Sequence, residues 1–514
     1  MIVFCNDTKA CGSVADQING LLASATIALD ETQEEMRKSV LKDVGAAEAT
    51  FDPTGCRAAV HHGDLLPLER RLTESVFRVR RDAESEELGL DVIAATSTIA
   101  QGLNLPCDVV ILAGTDRSAV DDPSGNPRTD LRPHEILNAL GRAGRAAYAA
   151  TGLAIVVPAK PIGVERENLS LPPEGILKTV FSEQDACEEI YDPIELLLDR
   201  IEVSADPDPK VQSIIRRLSA VTTGGESGFD DIVRRSLGFF RRKEADAPGA
   251  DKWLERRRTA LKAAEEQLED PPVLDWQREI AVRNGIPPRL IERLVEAFNQ
   301  PPVEKTATED WINWLLDIVA EHPLDLAIFT RETALESVFG RAYTNTTKPN
   351  ATAKRILGAL KTLVSMWCGG RTLVEIEAWL LAFIRKHEGE VRQQANRSST
   401  AQRARRFAIR IAPDLGFLCG VLGQIAAYKA AEKDGVMLPV IDMLPQMVRA
   451  GDYDRHHTAL RQMTTNASRV ETFEAHVALR GSFKAGASAE MDIVRDEVTT
   501  ATLLQSFTDL DDEA

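Results

Sequence analysis

The chain has 514 residues and a formal net charge of −18. That length holds roughly three or four domains, and 44% apolar with 27% charged residues is the balance of packed, globular protein rather than a disordered chain. The acidic excess excludes a uniformly basic nucleic-acid coat, while leaving room for a local basic stripe.

An apolar run at residues 2–5 reads as a strand that ends in Asn6, Asp7 and Thr8. Asp7 or Thr8 is placed to cap a helix carrying Val14, Ile18, Leu21 and Leu22 at helical spacing. A second helix is expected over 32–44 and a second strand over 56–61, running into His61, His62, Gly63 and Asp64. Pro67 then opens a helix bearing Leu68, Leu72 and Phe77. Residues 90–158 complete the pattern. Apolar runs at 92–95, 109–113 and 153–157 are separated by turn-rich and helix-like segments, as in the buried strands of a parallel sheet. Residues 1–165 therefore read as one α/β domain with a parallel sheet and flanking helices.

Ligands of such sheets collect at the carboxyl ends of the strands, and two loops in 90–158 carry residues suited to anions. Thr96, Ser97 and Thr98 offer hydroxyls and backbone N–H groups at a strand-to-helix turn, and Gly102 permits close backbone approach. Arg142 and Arg145, three residues apart, are placed to clamp a phosphate.

Beyond Pro158 the pattern becomes mainly α-helical. Residues 166–209 read as a connector. Residues 210–250 form a small helical module, compatible with a winged helix or a plain helical hairpin. Residues 251–345 and 346–480 read as two helical domains, the second ratchet-like, and 481–514 as an acidic, mobile tail. Arg403, Arg406 and Arg410 fall at i, i+3 and i+7 of one expected helix, a stripe able to ride a single-stranded backbone. The competing reading is a solvated basic face paired with Glu388 and Glu390. Seven scattered cysteines, with no CxxC pair and no Cys/His group at zinc spacing, fit a reducing, cytoplasmic setting and predict no metal site. No run approaches the ~20 apolar residues that cross a bilayer, so no membrane partner is expected.

Four stretches give a resemblance. AATSTIAQGLNLP at 94–106 and NALGRAGR at 138–145 resemble motifs V and VI of superfamily 2 helicases, especially the large processive group. IVFCND at 2–7 resembles motif IV, and AVHHGDLLPLERRLTESVFR at 59–78 resembles the segment between motifs IV and V. The resemblance implies a RecA-like fold for residues 1–165. It implies that Arg142 and Arg145 act as arginine fingers on a γ-phosphate, where transferring charge must be met by a cation. It places Gly102, Asn104 and Asn138 near the nucleotide, Asn138 standing where the family usually has Gln. It sets Thr96, Ser97, Thr98, His62 and Gly63 along the nucleic-acid backbone, with Asp64 where the family often has Ala or Gly.

The 514 residues contain no GxxxxGK[ST] and no Asp-Glu-x-His or Asp-Glu-Ala-Asp tetrad. The expectation is therefore the carboxyl-terminal half of a motor, starting at motif IV. ATP and Mg²⁺ would bind only with a P-loop lobe on another polypeptide, and none by this chain alone. The expected track is a single strand of DNA, the polymer the subgroup resemblance favours, with RNA as the alternative. The alternative is a non-catalytic nucleic-acid-binding or adaptor protein on a helicase scaffold.

Overall fold

A computed structural model describes the chain except residues 23–26, 46–55, 80–88, 97–104, 106, 115, 119–127, 132, 145–150, 158–191, 204–208, 224–226, 269–272, 300–306, 345–347, 389–400, 433–440, 465, 484–490 and 513–514. The chain divides into two compact units. The first comprises Met1–Glu188, Arg371–Ile409 and Thr464–Thr472. The second comprises Glu189–Gly370, Arg410–Met463 and Phe473–Ala514.

The described residues of the first unit include seven strands. β1 (Ile2–Cys5), β2 (Ala58–His61), β3 (Val92–Thr96), β4 (Val109–Ala113) and β7 (Leu153–Val157) form one sheet in the order β2-β3-β1-β4-β7, with every neighbouring pair parallel. β5 (Asp116–Ser118) and β6 (Arg128–Asp130) form a separate antiparallel pair inside what the sequence presents as a loop. The inner strands are apolar on both faces because helices cover both: Ile2, Ile93, Ala94, Ala95 and Val110 are fully buried. α1 (Thr8–Leu21) starts where Asp7 Oδ1 accepts the Ala10 N–H at 2.7 Å, as its position before the helix predicts. Asn19 of α1 holds the start of β2 by accepting the Arg57 and Ala58 N–H groups, both at 2.7 Å. α2 (Glu31–Val44) carries a capping box between Asp30 and Gln33 and stops at Gly45, whose φ of +84° suits glycine. α3 (Pro67–Phe77) and α4 (Pro133–Leu140) precede β3 and β7.

Two late segments return to this unit. The Leu373–Glu388 and Gln402–Arg406 helices join the α/β unit rather than the helical one, and the start of the Arg469–Leu479 helix docks on α2. There Ser39 Oγ donates to Glu471 at 3.2 Å, and the fully buried Arg469 lies 3.4 Å from Asp43. Division by composition kept all of 346–480 together. Contact instead gathers 371–409 and 464–472 with the sheet.

The second unit is helical throughout its described residues. The Pro193–Val203, Pro209–Thr223, Ser227–Arg234, Leu237–Ala245 and Ala247–Glu266 helices share one core containing Leu198, Ile215, Phe229, Phe239 and Leu254. Within residues 210–250 the Ser227–Arg234 and Leu237–Ala245 helices are separated at Ser236, whose Oγ accepts the Phe239 N–H at 3.2 Å. No strand follows it among the described residues, which fits a helical assembly and not a winged helix. The acidic end is not a mobile tail over its described part. The Met491–Asp512 helix buries Val494, Val498 and Ala501 against Ala459, Leu460 and Leu479. An apolar stripe at i, i+4, i+7 outweighs the acidic residues around it. One helical stretch, Gln402–Ala431, is long and apolar enough by composition to cross a membrane, but more than half of its most apolar window is buried within the protein.

Candidate functional site

β1, β2 and β3 end side by side. Cys5 pairs in register with Thr96, and His61 with Ala95. The carboxyl edge of the sheet thus gathers Thr96, which is half-buried, and the turn His62–Asp64 that follows β2. His61 is buried, and its Nε2 lies 2.8 Å from Glu74 Oε1. Burial lowers the His61 pKa, with Glu74 opposing. His62 is pushed down to about 4, chiefly by burial, with Asp64 and Glu69 pulling the other way. It is therefore a neutral imidazole at neutral pH, able to exchange hydrogen bonds but not to supply a charge. Gly63 is exposed, with open space where a Cβ would stand. Ser97 and Thr98 lie outside the described residues.

The Arg142 loop occupies the other edge. α4 runs into a turn in which Ala143 forms a parallel bridge with Cys107, and the Gly144 N–H donates to Cys107 O at 3.1 Å. The Cys107 thiol donates to Arg142 O at 3.2 Å. Cys107 lies two residues before β4, and the Leu153 N–H that opens β7 donates to Asp108 O at 2.8 Å. Arg142 is therefore anchored at the amino ends of β4 and β7. Sequence reasoning set both anion-suited loops at carboxyl ends. The structure separates them, because a loop that leads into a parallel strand must arrive at its amino end.

The anchoring is tight. Gly144 has φ of +65°, and a Cβ there would lie 2.6 Å from Gly152 N, while one on Gly152 would lie 2.4 Å from Gly144 N. Two glycines pressed back to back fix the Arg142 backbone. Arg142 is 8% exposed, and Asn138 sits one turn earlier on α4 with its side chain exposed. Gly102, Asn104 and Arg145 lie outside the described residues.

The arginine-rich segment is not a bare stripe. Its α-helix covers Gln402–Arg406 and passes into a π-helical turn, Phe407–Ile411. A π-helical turn does not keep the i, i+7 spacing of a continuous α-helix on which the expected stripe depends. Arg405, which the spacing left off the expected stripe, is the most committed. It is 2% exposed and makes two bonds to Glu69, of 2.8 Å and 2.6 Å. Glu69 Oε2 also accepts the Leu66 N–H at 2.8 Å, capping α3. Arg406 Nε donates to Asp64 Oδ2 at 2.8 Å. Glu377 accepts the Ala404 N–H at 2.8 Å, and burial raises its pKa while Ala404 and Arg403 oppose the shift. Sequence reasoning missed these partners because Arg405 and Glu69 stand 336 residues apart, and no local period marks such a pair.

The fold and site define a parallel α/β unit with anion-suited residues on both sheet edges. Comparison with known proteins gives the relationship. A stretch covering 30% of this chain is 31% identical to the yeast antiviral helicase SKI2 over 163 residues. It is 27% identical over the same length to the Arabidopsis DExH-box ATP-dependent RNA helicase DExH13. A stretch of 99 residues is 34% identical to the human U5 small nuclear ribonucleoprotein 200 kDa helicase. The chain is thus a relative of superfamily 2 DExH helicases of the Ski2-like group, and the likeness is partial. The matched part spans 12% of the yeast protein, 7% of the plant protein and 4% of the human one. No family model matches the chain.

Proposed function

We propose that this chain is the carboxyl-terminal half of an ATP-dependent nucleic-acid helicase or translocase. In this reading the α/β unit is a RecA-like lobe. Its amino edge, with Arg142, meets the γ-phosphate of ATP held by a P-loop lobe that these 514 residues do not encode, and Arg145 is assigned the same role by the resemblance. Asn138, one turn before Arg142 on α4, is on the same side, and Gly102 and Asn104 are assigned to the nucleotide by the resemblance alone. Its carboxyl edge, with Thr96, His62 and Gly63, follows one strand of DNA or RNA, and Ser97 and Thr98 are assigned the same role by the resemblance. The observation that carries the proposal is the separation of Arg142 from Thr96 and His62 onto opposite ends of one sheet, in a chain related to helicases. A coupling lobe needs such a division, since nucleotide and track must be sensed at once without sharing a surface.

The chemistry asked of this chain is modest. A guanidinium fixed at a sheet edge neutralises charge developing on a transferred phosphoryl group. The hydroxyls and N–H groups of the other edge hold phosphates without reading sequence. ATP and Mg²⁺ come with the other lobe, whose residues would orient the attacking water.

A second reading, a non-catalytic strand-binding adaptor, draws on the absence of a GxxxxGK[ST] sequence. The test of strand binding is fluorescence anisotropy with labelled single-stranded DNA and RNA across a salt series. Binding that weakens steeply with salt and is reduced by Thr96→Ala supports a track along the carboxyl edge. Binding unaffected by that change removes the edge from the proposal.

A further inference from the structure

Three arginines, Arg403, Arg405 and Arg406, face three carboxylates, Asp64, Glu69 and Glu377, within the first unit. Two arginines of the segment that by sequence offers the densest positive charge, Arg405 and Arg406, are therefore already ion-paired in place. The three are not equally committed. Arg405 and Glu69 are both buried and joined by two bonds. Separating them would strand a guanidinium that neither water nor a dissolved anion can reach, so that pair is fixed. Arg406 differs. Its side chain is 25% exposed, while that of Asp64 is 4% exposed. Solvent, and anything dissolved in it, reaches the arginine and not the carboxylate. Asp64 belongs to the turn that carries His62 and Gly63 and follows β2, and that strand ends next to β3 and Thr96.

We infer that Asp64 is an internal stand-in for a backbone phosphate, holding Arg406 at the carboxyl edge until a nucleic-acid strand takes its place. A carboxylate and a phosphodiester oxygen both accept the same guanidinium N–H bonds. Exchange of one acceptor for the other moves Arg406 a short way, because Arg405–Glu69 keeps the adjoining residue anchored. The strand therefore meets a latch, not an open cation. Binding of unrelated anions is suppressed, and occupation of the edge releases Asp64. The inference rests on the proposal that this edge carries a strand.

The test compares wild type, Asp64→Asn, Arg406→Gln and the double variant for binding of a labelled single-stranded oligonucleotide, with affinity read as a function of salt. Asp64→Asn is expected to bind several-fold more tightly, with a salt slope steeper by about 0.7, the value of one added phosphate contact on a single strand. The double variant is expected to lose both gains. In wild type, adding the oligonucleotide is expected to raise hydrogen exchange at residues 62–66, a readout that needs no variant. If wild type binds and Asp64→Asn changes neither affinity nor slope, the latch is wrong and the strand-binding edge stands. If none of the four proteins binds, both fail. If Asp64→Asn binds more tightly but the double variant keeps the gain, Asp64 acts by bulk charge and Arg406 is not its partner, which also overturns the latch.

Discussion

Replacing Arg405 with alanine tests whether the late helical segment is an integral part of the α/β unit. The pair it forms with Glu69 is buried on both sides, at 2% and 4% exposure, with bonds of 2.8 Å and 2.6 Å. An exposed pair contributes about 0–1 kcal/mol, whereas deleting one partner of a buried pair costs about 3–5 kcal/mol. Glu69 keeps the Leu66 N–H as a donor, so its carboxylate is not fully stranded, and the lower end, about 3 kcal/mol, applies. With two compact units the whole chain is not expected to unfold in one transition, so the change is best read locally. Native-state hydrogen exchange of α3 and residues 401–411 should rise by about two orders of magnitude at about 1.36 kcal/mol per decade. The double replacement Arg405→Met with Glu69→Leu should recover most of the protection, since an apolar pair of similar volume has no charge to bury. A rise below threefold for Arg405→Ala would refute the reasoning.

Other changes probe the two sheet edges and the helical unit. His62 has a folded pKa of about 4 against an ordinary value of 6.5. The unfolded chain therefore takes up the proton first, and stability present above pH 6.5 is lost as pH falls toward 4, by up to about 3 kcal/mol. His62→Gln should flatten the pH dependence of the first unit's urea midpoint over that window, and an unchanged slope would show that burial of His62 is not its cause. Gly144→Ala meets both a positive φ and Gly152 N at 2.6 Å. It should cost about 1–3 kcal/mol and shift the Arg142 backbone, seen as new amide chemical shifts at residues 107 and 142–144, with wild-type shifts the contrary result. Val498→Asp puts a charge on a fully buried position. It should release the Met491–Asp512 helix to protease, and continued resistance would mean that the helix does not depend on this contact.

The sheet was legible because its strands are short, mainly apolar and bounded by turn residues, and α1 because Asp7 stands where a cap belongs. The two edges were harder. Arg142 and Thr96 both look like loop residues next to strands, and only the parallel direction of β7 sends Arg142 to the amino end. The arginine segment shows a firmer limit. A period of i, i+3, i+7 picks out Arg403, Arg406 and Arg410, but the π-helical turn and the carboxylates of Asp64 and Glu69 are products of tertiary packing. At the carboxyl end, Val494, Val498 and Ala501 kept a helical period that the acidic composition concealed.

The central claim is that this chain completes an ATPase site from the arginine side. The most direct measurement is ATP hydrolysis by this chain mixed with a separately produced P-loop lobe of a superfamily 2 relative, with and without single-stranded nucleic acid. The account predicts hydrolysis only in the mixture, raised by the strand and lowered by about 10³-fold or more when Arg145 or Arg142, whichever serves as the finger, becomes alanine. Hydrolysis by this chain alone, or an undiminished rate in the mixture with both arginines replaced, would contradict it.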